Sequence, residues 1–486
     1  MKKLFALTLI VMLGLTGLVQ AANDATIEQV GDDNFAEVTQ SADDNLAFIG
    51  QDGDENYADI LQSGPGNTAT LEQEGMANFA DADQSGSDGT VLSTQTGDDN
   101  FLAIAQSGDE NTAMVDQTGD LNFAMIDQLG DDAVASVSQL GDDNYADVEQ
   151  SGAAGTATIL QDGDENEASV TQSTFGLLTG PHTANISQIG SRNYAEVIQH
   201  TLGLLAGLNS ADISQLGDEH WAEVTQEGFG IGEGANSADV SQTGIGHTTY
   251  VTQSGAFNSA EVTQDSALRR HLADIIQEGY LNAARVSQMH GATSSAEASA
   301  IVFQDGTSNE VDVLQGDHNY ASRELVADIT QIGTLNYTSV VQDRGPSYAW
   351  VTQSGLGNQA YIDQDKSKTG HTNEATIEQS GTANYAEQTQ MAREGFKAYI
   401  YQTGVANEAT QTQNHSAPYP GGTWNVATTT QTGNLNVGSI VQTGNVATAT
   451  LTQTGNSNDG YIIQTGPSSV GSMSQIGNGN IGGINQ

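Results

Sequence analysis

Polar and apolar residues alternate in seven-residue stretches separated by four-residue polar breaks. In Asn34-Phe35-Ala36-Glu37-Val38-Thr39-Gln40 the period of two puts Asn34, Ala36, Val38 and Gln40 on one face of an extended strand, and Phe35, Glu37 and Thr39 on the other, solvated face. A helix would scatter these four inward positions around its circumference. Glycine two residues after the glutamine suits a turn position of positive φ. The pattern therefore predicts short strands joined by tight arcs.

The unit repeats. Glutamine recurs from Gln29 to Gln172 in thirteen unbroken steps of eleven residues. The same phase continues, with occasional extra residues, to Gln486, giving 39 stations in all. Seven strand residues and four arc residues reverse the chain, so two units form a rung of 22 residues with the two inward faces opposed. Reversal sets each Ala against an Ile or Val and each Asn near a Gln, filling a narrow core evenly. Rungs stacked at about 4.8 Å bring like residues into register, so each inward amide can donate to one neighbour and accept from the other. The predicted fold is all-β, a two-sheet cross-β solenoid on the order of 90 Å long. Ordering one rung costs roughly 20 to 40 kcal/mol and its apolar contacts return only about 5, so an isolated rung is unfolded and the fold must be templated.

Composition narrows the setting. Lys2 and Lys3 precede an apolar run from Leu4 to Val19 with a small-residue exit, which predicts a Sec-type signal peptide over 1–22 and no later transmembrane segment. The chain contains no cysteine, so an exported rod relies on hydrogen bonds and packing. A net charge of −49 argues against a nucleic-acid partner. Charge divides the remainder into a regular acidic block, 23–172, without a basic residue; a block with edge insertions, 173–424; and a near-neutral block, 425–486, whose one charge is Asp459. The last is the most prone to β-aggregation.

Extra residues follow the stations Gln172, Gln199 and Gln226, then Gln264, Gln288, Gln315, Gln364, Gln390 and Gln413. The first three are even-numbered stations and the rest odd-numbered. The two groups should leave from opposite edges of the rod unless a half-rung defect intervenes. The repeat begins at Asn23 and reaches Gln486 with no capping unit, so both ends are expected to be open edges that template further strands.

Candidate chemistry is sparse. Acidic arcs such as Asp52, Asp54 and Glu55, and Asp162, Asp164 and Glu165, align carboxylates at rung spacing, where Ca²⁺ can bridge them; solvated charge that maintains solubility is the simpler reading. His220, His247 and His271 occupy the asparagine row and read as substitutions in its ladder. No catalytic, cofactor-binding or firm metal motif is present in the sequence. The residues expected to carry assembly are the ladder amides, exemplified by Asn34, Gln40, Asn56, Gln62, Asn144, Gln150, Asn166, Gln172, Gln475, Asn480 and Gln486.

The motif Q-x-G-x-x-N-x-A-x-(I/V)-x-Q, most complete at Asn34–Gln40, Asn56–Gln62, Asn144–Gln150 and Asn166–Gln172, resembles that of curlin-repeat proteins, the subunits of curli fibres. The resemblance implies a functional amyloid of the biofilm matrix and cell surface. Such a protein is exported by Sec through the periplasm, carried across an outer membrane by a dedicated pore, met by a nucleator, and polymerised with itself through the Asn and Gln rows. The chain departs from the family in its many repeats, its insertions and its charge. The alternative reading is a secreted monomeric solenoid, an adhesin or an ice-binding protein, using outward rows such as Thr448, Thr450 and Thr452.

Overall fold

The computed structural model describes residues 22–486 apart from 153, 176–179, 206–207, 232–233, 268, 291–296, 318–323, 344–345, 366–371, 393–394, 416–423 and 445. Residues 1–21, which hold nearly all of the expected signal peptide, lie outside the described residues.

Among the described residues there are 39 strands, β1 (Asp24–Val30) to β39 (Ile481–Asn485), one for each glutamine station. Each pairs in parallel with the strand two before and two after it. Odd strands form one 20-stranded sheet and even strands a second sheet. Register is like on like: β2 (Phe35–Gln40) sets Ala36, Val38 and Gln40 beside Ala58, Ile60 and Gln62 of β4 (Tyr57–Gln62). Two consecutive strands make one rung, as the reversal of the repeat requires.

Between the sheets, Ala58, Ile60, Ala69 and Leu71 have no solvent exposure, and equivalent positions build one apolar column from Ala47 to Ala409. Small faces large as expected: a Cβ on Gly471, which holds an alanine position, would stand 3.0 Å from Ile462 Cγ2 of the facing strand. The column breaks where Gln388, Gln411 and Thr429 take aliphatic positions, and a smaller apolar cluster begins at Ala427. Gln411 Nε2 bonds Tyr399 O and Thr429 Oγ1, both at 2.9 Å, while the buried Gln388 Oε1 has no hydrogen-bond partner. The break lies beside the charge boundary at 424/425.

The insertions do not shift the pairing. β18 (Trp221–Ile231) pairs with β20 (Thr248–Ala256), and β19 (Ser237–Ile245) pairs with β21 (Ser259–Ser266). No half-rung defect intervenes, and the two groups of insertions leave from opposite edges. Parts of the apolar stretches STFGLLTGPHT, HTLGLLAGL and EGFGIGEGA lie outside the described residues. Their first residues continue the even sheet, pairing Phe175 with Leu202 and Leu202 with Phe229. They begin as strand.

Two expectations need correction. The outward face is not simply solvated: Phe35, Tyr57, Phe79, Phe101, Phe123 and Tyr145 stack along the even sheet with ring centroids 4.7 to 4.9 Å apart. In-register stacking at rung spacing brings the flat rings face to face, removing apolar surface from water. The arc glycines serve more than a torsion angle. Gly97 has φ +123°, and a Cβ there would lie 2.1 Å from Gly119 O one rung on. Gly86 lacks a positive φ, yet its Cβ would lie 1.5 Å from Gly108 O. Close approach of successive arcs is the general requirement. The left-handed residue shared by the arcs is four after the glutamine, where Asp33, Glu55, Leu121 and Asp143 have φ of 57 to 61°.

Gly97→Ala should therefore destabilise the rod by at least about 2 kcal/mol, because its Cβ must displace the backbone of the next rung. Asp99→Asn, at a left-handed position that tolerates Asn, should stay near neutral. Urea unfolding of the soluble chain compares the two.

Candidate assembly ladder

Each inward glutamine follows one local plan. Its Nε2 donates to the Oε1 of the glutamine one rung toward the C-terminus and to a main-chain carbonyl of the facing sheet. Gln40 bonds Gln62 at 2.8 Å and Asp24 O at 3.2 Å, and Gln62 bonds Gln84 at 2.8 Å and Leu46 O at 3.1 Å. Gln150 bonds Gln172 at 2.9 Å and Val134 O at 3.1 Å. The same columns cross lengthened arcs without a gap, as in Gln172 to Gln199 at 2.9 Å and Gln413 to Gln442 at 2.8 Å. They run on to Gln475 and Gln486, which accept from Gln453 at 2.8 Å and Gln464 at 3.0 Å. Both amide hydrogens and the oxygen are used, so the buried polar row is satisfied.

Asparagine works differently from the expected simple amide chain. Asn34 Oδ1 accepts the main-chain N–H of Asn56 at 2.9 Å, and Asn34 Nδ2 donates to Gly53 O of the next arc at 2.7 Å. Asn56 Nδ2 likewise reaches Gly75 O at 2.8 Å. Where the side-chain bond is made, it points toward the N-terminus: Asn144 donates to Asn122 at 3.0 Å, Asn166 to Asn144 at 3.1 Å, and Asn480 to Asn458 at 2.8 Å. Gln columns thus donate forward and Asn columns backward. The asparagines also clamp the tight arcs. At two strands entered from lengthened arcs, their position is taken instead by buried Leu325 and Phe396.

The three histidines complete this row. His220, His247 and His271 stack with centroids 5.1 and 4.9 Å apart, and His290 tilts onto His271 at 4.5 Å. Their Nδ1 atoms replace Asn Oδ1: His247 N donates to His220 Nδ1 and His271 N to His247 Nδ1, both at 3.2 Å, and Ala298 N donates to His271 Nδ1 at 3.1 Å. Burial pushes His220 down to about 4, His271 to about 2, and His247 in the same direction. On the outer face, burial and then the neighbouring Asp81 and Glu37 raise the Asp59 carboxyl, while burial and Asp83 raise Asp81.

The calcium candidates divide into two arcs that do not meet, one after Gln51 and one after Gln161, five rungs apart. Asp54 Oδ1 accepts Asp32 N at 2.7 Å, and Asp164 Oδ1 accepts Asp142 N at 3.1 Å, so these carboxylates form arc-to-arc bonds. Glu55 and Glu165 hold the left-handed position, and Asp52 and Asp162 are exposed. Among the described residues no three His, Cys, Asp or Glu side chains are grouped to hold a metal ion. No described helix is long and apolar enough to cross a membrane.

Gln106→Leu removes the acceptor of Gln84 and the donor of Gln128 from a buried column, and should cost about 2 to 5 kcal/mol. Outward Thr94→Ala should change stability by no more than about 0.5 kcal/mol, with both read from denaturant midpoints. For pH, the histidines bind protons more readily when unfolded. Their contribution is complete above about pH 6.5 and falls away as the solution is acidified toward pH 4. The raised Asp59 and Asp81 act oppositely, because the folded state gains protons and their repulsion is relieved on acidification. Normalised hydrogen exchange from pH 7.5 to 5 should show protection falling around 220–298 and holding around 57–101. His220→Asn with His247→Asn and His271→Asn should abolish the difference.

No curated protein matches the chain. The family model for the curlin associated repeat matches seven stretches, residues 21–53, 42–75, 53–86, 108–141, 141–173, 235–265 and 347–381. Those seven matches, together with a solenoid in which a laddered glutamine recurs once per strand, make this a chain built of curlin associated repeats that fits a curli-like structural protein.

Proposed function

We propose that the chain is a structural subunit of an extracellular curli-like amyloid fibre, which serves the biofilm matrix and surface adhesion and grows end to end by templating. The supporting observation is the Gln column, unbroken from Gln29 to Gln486 in one sheet and from Gln40 to Gln475 in the other. Wherever such a stack stops, one face carries open amide donors and strand edges and the other open acceptors. A second stack of the same period satisfies both at once. Sec export, an outer-membrane pore and a nucleator follow from the family resemblance, as does location at the cell surface.

The alternative, an ice- or glycan-binding monomer, would use an outward threonine array. Thr428, Thr430 and Thr432 do align with Thr450, Thr452 and Thr454, but Tyr399 and Tyr401 precede them and Ser472 and Ser474 follow. An array two rungs deep is short for a flat lattice.

Purified chain without residues 1–22, diluted from denaturant, should form fibres after a lag that preformed fibres abolish, with electron microscopy and a cross-β dye as readouts. Persistent monomers at high concentration would overturn the proposal. At low salt, a peptide of residues 425–486 should seed the full chain faster than one of residues 23–172, since only the latter carries dense like charge. Equal lag times would remove charge from the account.

A further inference from the structure

The edge at which the chain passes from the even to the odd sheet changes character along the rod. In four of its first five arcs the third or fourth residue after the glutamine, or both, is acidic: Asp43 and Asp44, Asp88, Asp109 and Glu110, and Asp131 and Asp132, the arc of Pro65 and Gly66 being the exception. From Ala256 onward, the same two positions hold no charged residue in ten successive arcs, ending at Asn478 and Gly479. Exposed there are Phe257, Tyr280, Leu281, Leu335, Leu356, Val405 and Leu435, from 37 to 58% accessible.

The arcs that carry these residues form a continuous ribbon in which threonines and one asparagine alternate with the apolar side chains. Leu281 N bonds Ala256 O at 3.0 Å, Leu335 N bonds Thr307 O at 2.9 Å, and Leu435 N bonds Val405 O at 2.9 Å. Strand register continues into the arcs, placing Tyr280, Thr307, Thr334, Leu356, Thr382, Val405 and Asn434 in one line. At about 4.8 Å per step the uncharged edge extends roughly 43 Å, and its apolar residues span about 34 Å of it. Glu278 and Asp305 flank it, each one residue after its glutamine. All lengthened arcs in this part of the chain follow odd stations and leave from the opposite edge, so this edge keeps the short arcs throughout.

We infer that this uncharged edge is a lateral interface, and that its partner is the same edge of a second copy of the chain. Two molecules of net charge −49 repel through their acidic arcs and outward carboxylates. The stripe is a long surface on which they can approach without opposing charges, and burying its apolar side chains opposes the remaining repulsion. A second copy also supplies the same step along the axis, so side chains can mesh over every rung. The inference stands apart from end-to-end growth: free rods pair by it, and filaments join side by side by it.

The test uses the chain without residues 1–22, carrying Leu281→Asp, Leu335→Asp and Leu435→Asp. These positions have φ of 56 to 57°, and the chain places Asp44, Asp88 and Asp132 at the equivalent position of the same edge with φ of 57 to 61°, so the variant should keep its fold. Sedimentation of freshly prepared chain and cryo-electron microscopy of aged samples measure pairing and filament width. The wild type should pair, more strongly with added salt. The variant should show unchanged strand content, single-width rods, and pairing weaker by at least about 100-fold. Leu121→Asp, on the other edge, should pair as the wild type does. Unpaired wild-type rods, or a triple variant that pairs as well as the wild type, would overturn the inference. Loss of fibres in every protein would instead overturn end-to-end growth.

Discussion

The amide bond from one rung to the next is the constraint on which the rest of this molecule depends. A buried glutamine is tolerable only when both its hydrogens and its oxygen find partners. Here those partners are the next glutamine and a carbonyl of the facing sheet. That geometry demands a fixed step between rungs and identical residues above and below. Parallel in-register strands satisfy both demands, and the narrow Ala-to-Ile core follows from holding two such sheets close enough for the glutamine to cross.

A fixed step also governs what the arcs can be. Successive arcs touch, so a glycine two residues after the station is favoured by the backbone of its neighbour even at Gly86, where no unusual torsion asks for it. Asparagine then ties the arc to the next glycine carbonyl. This explains why extra residues enter between a glutamine and the next asparagine position and never inside the seven-residue unit that those two positions bound. The ladder at Gln172 and Gln199 is as short as that at Gln128 and Gln150, although 27 residues separate the first pair and 22 the second.

The repeat of eleven was enough to place every strand, both sheets, the inward rows and the edge from which each insertion leaves, because these depend on the parity of one residue type. The stacked rings from Phe35 to Tyr145 were not found, since they recur every 22 residues and are diluted when both sheets are averaged into one unit. The direction of the asparagine bonds was also beyond the pattern. Composition places Asn and Gln in columns, but only the arc geometry decides whether an amide bonds its like or a carbonyl. Asp54 and Asp164 of the acidic arcs each accept a backbone N–H of the arc one rung before, a role that the number of carboxylates in an arc does not reveal.

Charge is distributed so that it does not interfere with the ladders. The inward rows hold amides and neutral imidazoles, while carboxylates occupy arcs and outer faces. Stacking at rung spacing nevertheless multiplies their repulsion, raising Asp59 and Asp81 through both burial and neighbours. The histidine column has the opposite difficulty: a second proton would point an N–H donor at the N–H of the next rung, where Nδ1 now accepts. Acid therefore relaxes the outside of the rod while it breaks bonds inside it. Any pH at which such a rod assembles is a compromise between the two, set by how many rungs carry carboxylate neighbours and how few carry imidazole.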